Sequence, residues 1–211
     1  MKYLYTLILV LSAIISGCGG DSAPEILQTS ETPVNVVGIG DSTISVIYYD
    51  TNKLRVNLPV GSAFTTYGAP GQCAIEGQQN NLNIIANTPK NSVIIFLSGI
   101  NDARRCGTSV EQFKLLVIDL HNAAYANGSK FVVITPNPTY TGAENELLTQ
   151  YANAERSLGY NLADLRDWIE NPNIPKPFDY GVQVASDGTH MTPIIYDWLS
   201  PKLASVIKLA K

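Results

Sequence analysis

The feature that most constrains the fold is an alternation of short apolar runs with longer amphipathic segments from residue 34 onward. The apolar runs have the length of strands and lie at residues 34–40, 54–60, 92–99 and 131–138. Apolar residues at helical spacing predict helices at residues 74–87, 109–127, 142–159 and 193–210. Because strands that alternate with helices form a parallel sheet covered on both faces, we predict an α/β protein, a three-layer α/β/α sandwich.

Length and composition predict a single folded domain. The chain has 211 residues, of which 45% are apolar, and this is enough for one substantial core. We place the domain at residues 34–211 and expect it to be a monomer. The net charge is −4 and the sequence has no basic run. A nucleic-acid partner is therefore not expected.

The N-terminal residues 1–17 are typical of an export signal. Lys2 precedes an apolar stretch of about 13 residues, whereas a helix needs about 20 to span a bilayer. The sequence Ile-Ser-Gly-Cys at residues 15–18 resembles the lipobox of bacterial lipoproteins, in which the cysteine becomes the lipidated first residue of the mature chain. An ordinary secretory signal and a short uncleaved anchor are the alternatives.

Lipidation of Cys18 would hold the domain at a membrane surface through acyl chains. The lipoprotein resemblance, with Gly19 rather than aspartate after the cysteine, implies delivery to an outer membrane where the cell has one. Residues 18–33 are polar and contain prolines and glycines, which predicts a flexible tether. We therefore expect a periplasmic or cell-surface domain that is anchored to a bacterial membrane.

Candidate catalytic residues follow the predicted strands. Ligands of parallel sheets bind beyond the carboxyl ends of the strands, and Ser42 follows the first apolar run and opens a short predicted helix. A serine needs a base to become a good nucleophile. His190 is one of only two histidines, and Asp187 can reach its far ring nitrogen around a turn that Gly188 permits. Taken singly, Ser42 fits an N-cap and residues 187–190 fit a surface turn.

Three hydrogen-bond donors in the same region can stabilise an oxyanion. Gly71 offers a backbone N–H that no side chain obstructs, Asn101 offers a side-chain amide, and Ser42 offers its own backbone N–H. Each donor has a plainer explanation, since Gly71 also suits a turn and Asn101 also suits a loop cap. The joint placement of these residues after successive strands favours an active site.

The order of these motifs resembles the SGNH, or GDSL-type, hydrolase superfamily. The matching blocks are Gly40-Asp41-Ser42, Gly71, Gly99-Ile100-Asn101-Asp102 and Asp187-Gly188-Thr189-His190. The resemblance spans about 150 residues and implies a flavodoxin-like sheet. It also implies a Ser42 nucleophile, a His190 base oriented by Asp187, and an oxyanion hole from Ser42, Gly71 and Asn101. No metal or organic cofactor is expected. Thr43 stands where the family usually has leucine, and Gly68 is an alternative to Gly71.

Cys73 and Cys106 are the pair that remains after Cys18 is set aside. Export to an oxidising compartment favours a disulfide between them, with two free thiols as the alternative. Two cysteines without neighbouring histidines do not form a zinc ligand set. If Gly71 and Asn101 have the oxyanion roles that the resemblance implies, this disulfide would connect the two loops that carry them.

The sequence predicts an exported serine esterase but does not specify its substrate. Carbohydrate O-acetyl groups, lysophospholipids, thioesters and small esters are the candidate substrates, and a non-catalytic binding lipoprotein is the rival. Arg104 and Arg105 are candidates to bind an anionic group or to pair with Asp102 or other acids. Three tyrosines can line an acyl or sugar site or pack elsewhere, namely Tyr48, Tyr49 and Tyr67. His121 lies within a predicted helix and is expected to be partly exposed.

Overall fold

The computed structural model describes residues 31–49, 53–139, 142–179 and 187–210. Its sheet has five parallel strands in the order β2-β1-β3-β4-β5. The strands are β1 Asn35–Gly40, β2 Ala63–Gly68, β3 Val93–Leu97, β4 Lys130–Ile134 and β5 Asn161–Ala163. This strand order is that of flavodoxin-like sheets.

Helices cover both faces of the sheet, which confirms the predicted three-layer class. The helices are α1 Ser42–Tyr49, α2 Lys53–Val56, α3 Ala74–Asn87, α4 Val110–Ala126, α5 Gly142–Ser157, α6 Leu165–Glu170 and α7 Pro193–Leu209. A short π-helix occupies Asp102–Cys106. Helices α1, α2, α6 and α7 contribute to the core on one face, and α3, α4 and α5 contribute to the core on the other.

The predicted second strand at residues 54–60 is wrong. Leu54 and Leu58 are buried four residues apart, whereas Val56 is 74% exposed and Val60 is 95% exposed. That spacing is helical, and the segment forms α2 and the turn that follows it. The actual second strand, β2, lies at the sheet edge and buries only Phe64, so its polar sequence gives little strand signal.

The longer helices agree with the predicted positions. Helix α3 has the predicted bounds, and α4 begins with the predicted capping box. There, Ser109 Oγ accepts a hydrogen bond from the backbone N–H of Gln112 (3.2 Å), and Gln112 Oε1 accepts one from the N–H of Ser109 (2.9 Å). The three-residue β5 and the six-residue α6 were not predicted.

The predicted signal, Cys18 and most of the tether lie outside the described residues. Within the described ranges, no helix has both the length and the apolar character needed to cross a membrane. The domain core begins close to the predicted boundary, since Val34 is buried and its N–H donates to Ser62 Oγ (3.0 Å).

Candidate active site

The nucleophile candidate Ser42 sits at the carboxyl edge of the sheet because β1 passes directly into α1. Gly40 has a φ of +138°, and a Cβ at this position would clash with the carbonyl oxygen of Leu97 at the end of β3. Asp41 caps α1, because its Oδ1 accepts a hydrogen bond from the N–H of Thr43 (2.9 Å). Ser42 is therefore the first residue of α1, and Asp41 rather than Ser42 is the N-cap.

His190 and Asp187 meet Ser42 from the turn that precedes α7. His190 Nε2 lies 2.8 Å from Ser42 Oγ, and His190 Nδ1 lies 2.6 Å from Asp187 Oδ2. The other oxygen of Asp187 accepts hydrogen bonds from the N–H groups of Thr189 (2.9 Å) and His190 (3.0 Å). Gly188 permits the turn with a φ of +68°. The three side chains form one continuous hydrogen-bonded chain.

Asn137 ties this turn to the rest of the sheet. Its side chain is fully buried beyond the end of β4, and its Nδ2 donates to the carbonyl oxygen of Thr189 (3.0 Å). A single buried asparagine has no recognisable sequence signal, so its contact with the His190 turn was not predicted. This hydrogen bond helps to hold the turn that carries His190 in place.

The electrostatics keep Asp187 ionised at neutral pH. Partial burial raises the pKa of this carboxyl, but hydrogen bonds from the His190 ring and from the N–H groups of His190 and Thr189 lower it overall. An ionised carboxylate at Nδ1 holds the ring with Nε2 towards Ser42 and stabilises the imidazolium that forms when Nε2 takes a proton.

The two glycine alternatives for the oxyanion hole differ in their surroundings. A Cβ on Gly68 would clash with Ser45 Oγ and with the carbonyl oxygen of Asp41, so this glycine serves close packing of β2 against α1. Gly71 is exposed, has a φ of +74°, and has no atom within 4 Å of a Cβ placed on it. These surroundings favour Gly71 as the residue with an accessible N–H.

Asn101 contacts both Asp41, which follows β1, and the loop that carries Gly71. Its Nδ2 donates to the carbonyl oxygen of Gln72 (3.2 Å) and lies 3.5 Å from Asp41 Oδ2. The two hydrogens of the side-chain amide thus face the Gln72 carbonyl and the Asp41 carboxylate, and an oxyanion bound by Asn101 would replace the longer of these two contacts.

The predicted disulfide between Cys73 and Cys106 is present, with a Cα–Cα distance of 6.5 Å. It links the residue before α3 to the end of the π-helix. Asp102 reinforces the link, because its buried carboxylate accepts hydrogen bonds from Ala74 N (2.7 Å) and Ile75 N (3.3 Å) at the start of α3. The loops that carry Gly71 and Asn101 are therefore joined covalently and by a buried helix cap.

Arg104 and Arg105, which follow the Gly99-Ile100-Asn101-Asp102 motif, both pair with acids other than Asp102. Arg104 forms a two-point ion pair with Glu144 of α5 (2.9 and 3.0 Å). Arg105 contacts Glu76 Oε2 (2.6 Å) and also donates to the carbonyl oxygen of Gly71 (2.8 Å). Arg105 thus holds the Gly71–Gln72 peptide, which adjoins the peptide that carries the Gly71 N–H, and this role was not predicted from the sequence.

A buried carboxylate lies behind the nucleophile. Burial is the main cause that raises the pKa of Asp41 to about 6, and the nearby Asp102 adds to it, while hydrogen bonds from Thr43 and Ser98 lower it. Thr43 donates to Asp41 through both its N–H and its hydroxyl. A leucine at this position has no hydroxyl to donate.

The structure joins Ser42, His190 and Asp187 in one hydrogen-bonded chain and places Asn101 against Asp41, the residue before Ser42, whereas Cys18 lies outside the described residues. Tyr48 and Tyr49 lie in α1 but their side chains are not described. His121 is half-buried on α4 and stacks on Tyr160 with ring centroids 3.7 Å apart. It takes no part in the hydrogen-bonded chain.

Among the described residues, one group could be considered as metal ligands, since atoms of Cys73, Glu76 and Cys106 lie within 4.8 Å of one another. The two sulfurs are bonded to each other and Glu76 is paired with Arg105. A disulfide offers no thiolate, so this group does not fit a metal ion.

Solved structures with the same fold include known hydrolases. The chain matches a protein of Slackia heliotrinireducens assigned to the SGNH hydrolases (TM-score 0.64, 15% identity, 83% of this chain and 99% of that one). It matches a member of the lipolytic G-D-S-L family from Veillonella parvula (0.66, 14%, 82% and 97%). It also matches a catalytic mutant of an acetylxylan esterase from Geobacillus stearothermophilus (0.64, 12%, 84% and 96%).

No family model matches the sequence, and no curated protein is a significant match. The structural matches show that the chain has the fold of the SGNH, or GDSL-type, hydrolases, as the motif order predicts.

Proposed function

We propose that this protein is a serine hydrolase that cleaves carboxylic esters through an acyl-enzyme on Ser42. The observation that carries the proposal is the hydrogen-bonded chain from Asp187 through His190 to Ser42, with distances of 2.6 and 2.8 Å. A binding protein needs no imidazole held between a carboxylate and a serine hydroxyl. The chemistry of such a chain is the transfer of a proton from serine as it attacks.

In the first step, Ser42 Oγ attacks the ester carbonyl carbon while His190 Nε2 accepts the hydroxyl proton. The carbonyl oxygen becomes an oxyanion that accepts hydrogen bonds from the N–H groups of Ser42 and Gly71 and from Asn101 Nδ2. Each such donor contributes about 3 kcal/mol of transition-state stabilisation in enzymes of this kind. The alcohol then leaves with the proton from His190, and the acyl group remains on Ser42.

In the second step, a water molecule gives a proton to His190 Nε2 and attacks the acyl carbon. The same donors stabilise the second oxyanion. Collapse of this intermediate returns the proton to Ser42 Oγ and releases the carboxylic acid. No step needs a metal or an organic cofactor.

The proposal is tested with Ser42→Ala and a short-chain aryl ester. Turnover should fall to background while the melting temperature stays close to that of the wild type. Ser205→Ala, which removes an exposed hydroxyl on α7, is the matched control and should keep full activity. Retained hydrolysis by Ser42→Ala would refute the assignment of the nucleophile.

A fluorophosphonate probe separates the esterase from the rival of a non-catalytic binding protein. Only an activated serine reacts with the probe, so labelling should occur on the wild type and on Ser205→Ala but not on Ser42→Ala or His190→Ala. Absence of labelling on a folded wild type would favour the binding protein.

Among ester substrates, we propose acylated carbohydrates first. An acetylxylan esterase is among the proteins that share the fold, and the exposed ring of Tyr67 lies at the end of β2, beside the Gly68–Gly71 loop. This choice is tested by comparing the rates at which one preparation hydrolyses acetylated xylo-oligosaccharides, lysophospholipids and acyl thioesters. A preference for either of the last two would overturn it.

We also propose that the protein is exported and lipid-anchored through Cys18, which rests on the sequence of residues 1–18 alone. Metabolic labelling with a fatty acid should mark the wild type and fail to mark Cys18→Ser. Label on both proteins would contradict the anchor.

A further inference from the structure

A groove of about 430 Å³ lies on the α3 side of the sheet, beside the edge strand β2. Helix α3 covers Val37 and Ile39 of β1 but does not reach over β2, so Thr65 and Tyr67 are exposed on that face. The volume is within the range of about 300–1,000 Å³ that is usual for small-molecule sites. The polar residues that line it are Asn35, Thr65, Tyr67, Asn83, Asn87 and Thr88.

The described lining of the groove is uncharged. Among the described residues that line it there is no aspartate, glutamate, lysine, arginine or histidine, although the protein as a whole carries a net charge of −4. The polar groups are amides and hydroxyls. These groups offer hydrogen bonds to a neutral ligand and no ion pair to an anion or a cation.

Three side-chain amides of the groove do not use all of their hydrogen-bond donors and acceptors within the described residues. Asn35 donates through Nδ2 to Ser92 Oγ (2.8 Å), and Asn87 donates through Nδ2 to the carbonyl oxygen of Asn83 (2.7 Å). Asn83 accepts through Oδ1 from Gln79 Nε2 (3.2 Å). Two amide oxygens, of Asn35 and Asn87, and one amide nitrogen, of Asn83, therefore have no partner among the residues the structure describes. A set of acceptors and donors side by side suits a ligand whose hydroxyls both donate and accept.

The apolar part of the groove is an aromatic ring and a small aliphatic floor. Tyr67 is 50% exposed, and Val37 and Ile84 line the same groove. A ring with an exposed face beside amides fits the C–H face of a sugar, whose hydroxyls point outward to the amides.

We propose that this groove binds an uncharged glycan chain. A peptide added to the edge of β2 is the alternative for an exposed edge strand. The groove favours the glycan because its open volume and its bonding groups lie on the face of the sheet, between β2 and α3, rather than along the outer backbone of β2.

The groove also lies in line with the candidate active site, and the catalytic part of the inference rests on the proposed esterase. Tyr67 pairs with Ile39, three residues before Ser42. Tyr67 is at the end of the groove nearest the carboxyl edge of the sheet, and Asn35, at the start of β1, is at the far end. A glycan chain that lies along the groove and continues past Tyr67 would therefore extend towards the carboxyl edge of the sheet, where an ester on a unit beyond the groove could meet Ser42.

The binding step is tested without turnover, on the protein carrying Ser42→Ala. Xylohexaose without acyl groups is titrated by calorimetry, with hexagalacturonate as the charged comparison and a neutral β-strand peptide as the comparison for edge pairing. We expect binding of xylohexaose and no measurable binding of the other two. Adding Tyr67→Ala should weaken xylohexaose binding about tenfold, which corresponds to about 1.4 kcal/mol for the loss of the aromatic face.

A second groove variant and a control keep the test decisive. Asn83→Ala should also weaken binding, and Tyr125→Ala, an exposed tyrosine on α4 outside the groove, should leave it unchanged. Equal binding of hexagalacturonate, preference for the peptide, or unchanged affinity in both groove variants would overturn the inference. Hydrolysis of the aryl ester by the wild type is measured separately, so failure of glycan binding and failure of the esterase proposal give different results.

Discussion

Replacement of the buried Asp41 by asparagine is expected to change how stability depends on pH. In the folded protein the pKa of this carboxyl is raised from 3.8 to about 6, mainly by burial. In the unfolded chain the carboxyl returns to its ordinary range. Between these two values the native state holds a proton that the unfolded state has lost, so the free energy of unfolding falls as the pH rises.

The size of the effect follows from the two pKa values. The difference between about 6 and 3.8, at 1.36 kcal/mol for each pKa unit, is about 3 kcal/mol over the whole window. About 2 kcal/mol of this falls between pH 4.5 and pH 7. Below the window Asp41 is protonated in both states and contributes no slope. Above the window the contribution is constant.

Urea unfolding at several pH values measures the effect. The free energy of unfolding of the wild type, minus that of Asp41→Asn, should fall by about 2 kcal/mol from pH 4.5 to pH 7. Glu155 is also buried, and burial raises its pKa well above the ordinary value, but it is present in both proteins and largely cancels in the subtraction. Asp119→Asn, on the exposed face of α4, removes a carboxylate from the surface and is the matched control. A wild-type-minus-variant difference that is flat across this range would refute the reasoning.

Three further predictions concern the catalytic and oxyanion loops. Asp187→Asn keeps a side-chain oxygen that can accept the hydrogen bonds of the turn, but it removes the negative charge at His190 Nδ1. We therefore expect kcat to fall about a hundredfold with little change in KM. A loss below about threefold would show that the backbone alone orients the imidazole ring. Replacing both Cys73 and Cys106 by serine should lower the free energy of unfolding by about 3–4 kcal/mol, as expected for a closed loop of 33 residues, and an unchanged urea midpoint would contradict this. Arg105→Gln releases the Gly71 peptide and should lower kcat on the order of tenfold, whereas Arg104→Gln, which loses its ion pair with Glu144, should have a smaller effect; equal losses would remove the special role of Arg105.

The sequence predicts the buried centre of the fold well and its margins poorly. The strands β1, β3 and β4 are covered on both faces and therefore read as continuous apolar runs. Strand β2 lies at the edge and buries one side chain of six, so its sequence resembles a loop. The apolar residues at 54–60 led to the prediction of a strand. The segment is instead α2 and the turn after it, and it buries Leu54 and Leu58, which are four residues apart.

The candidate site shows the same division. Ser42, Asn101 and the 187–190 turn are predictable because their residue types and order carry chemical meaning. The contacts that hold them are not, because Asn137 and Arg105 reach the site through pairings between elements distant in the chain. Such pairings leave no local pattern in a single sequence, and they become visible only when the strands are placed side by side.

The hydrogen bond between Ser42 and His190 joins residues 148 positions apart. Contacts of this range form late, since chain entropy opposes their closure until the intervening elements have folded. During synthesis Ser42 emerges well before His190, which α7 follows directly. Ser42 therefore lacks its proposed base until the turn that carries His190 has packed beside α1, and the proposed hydrolysis of an ester would report that these two distant segments have come together.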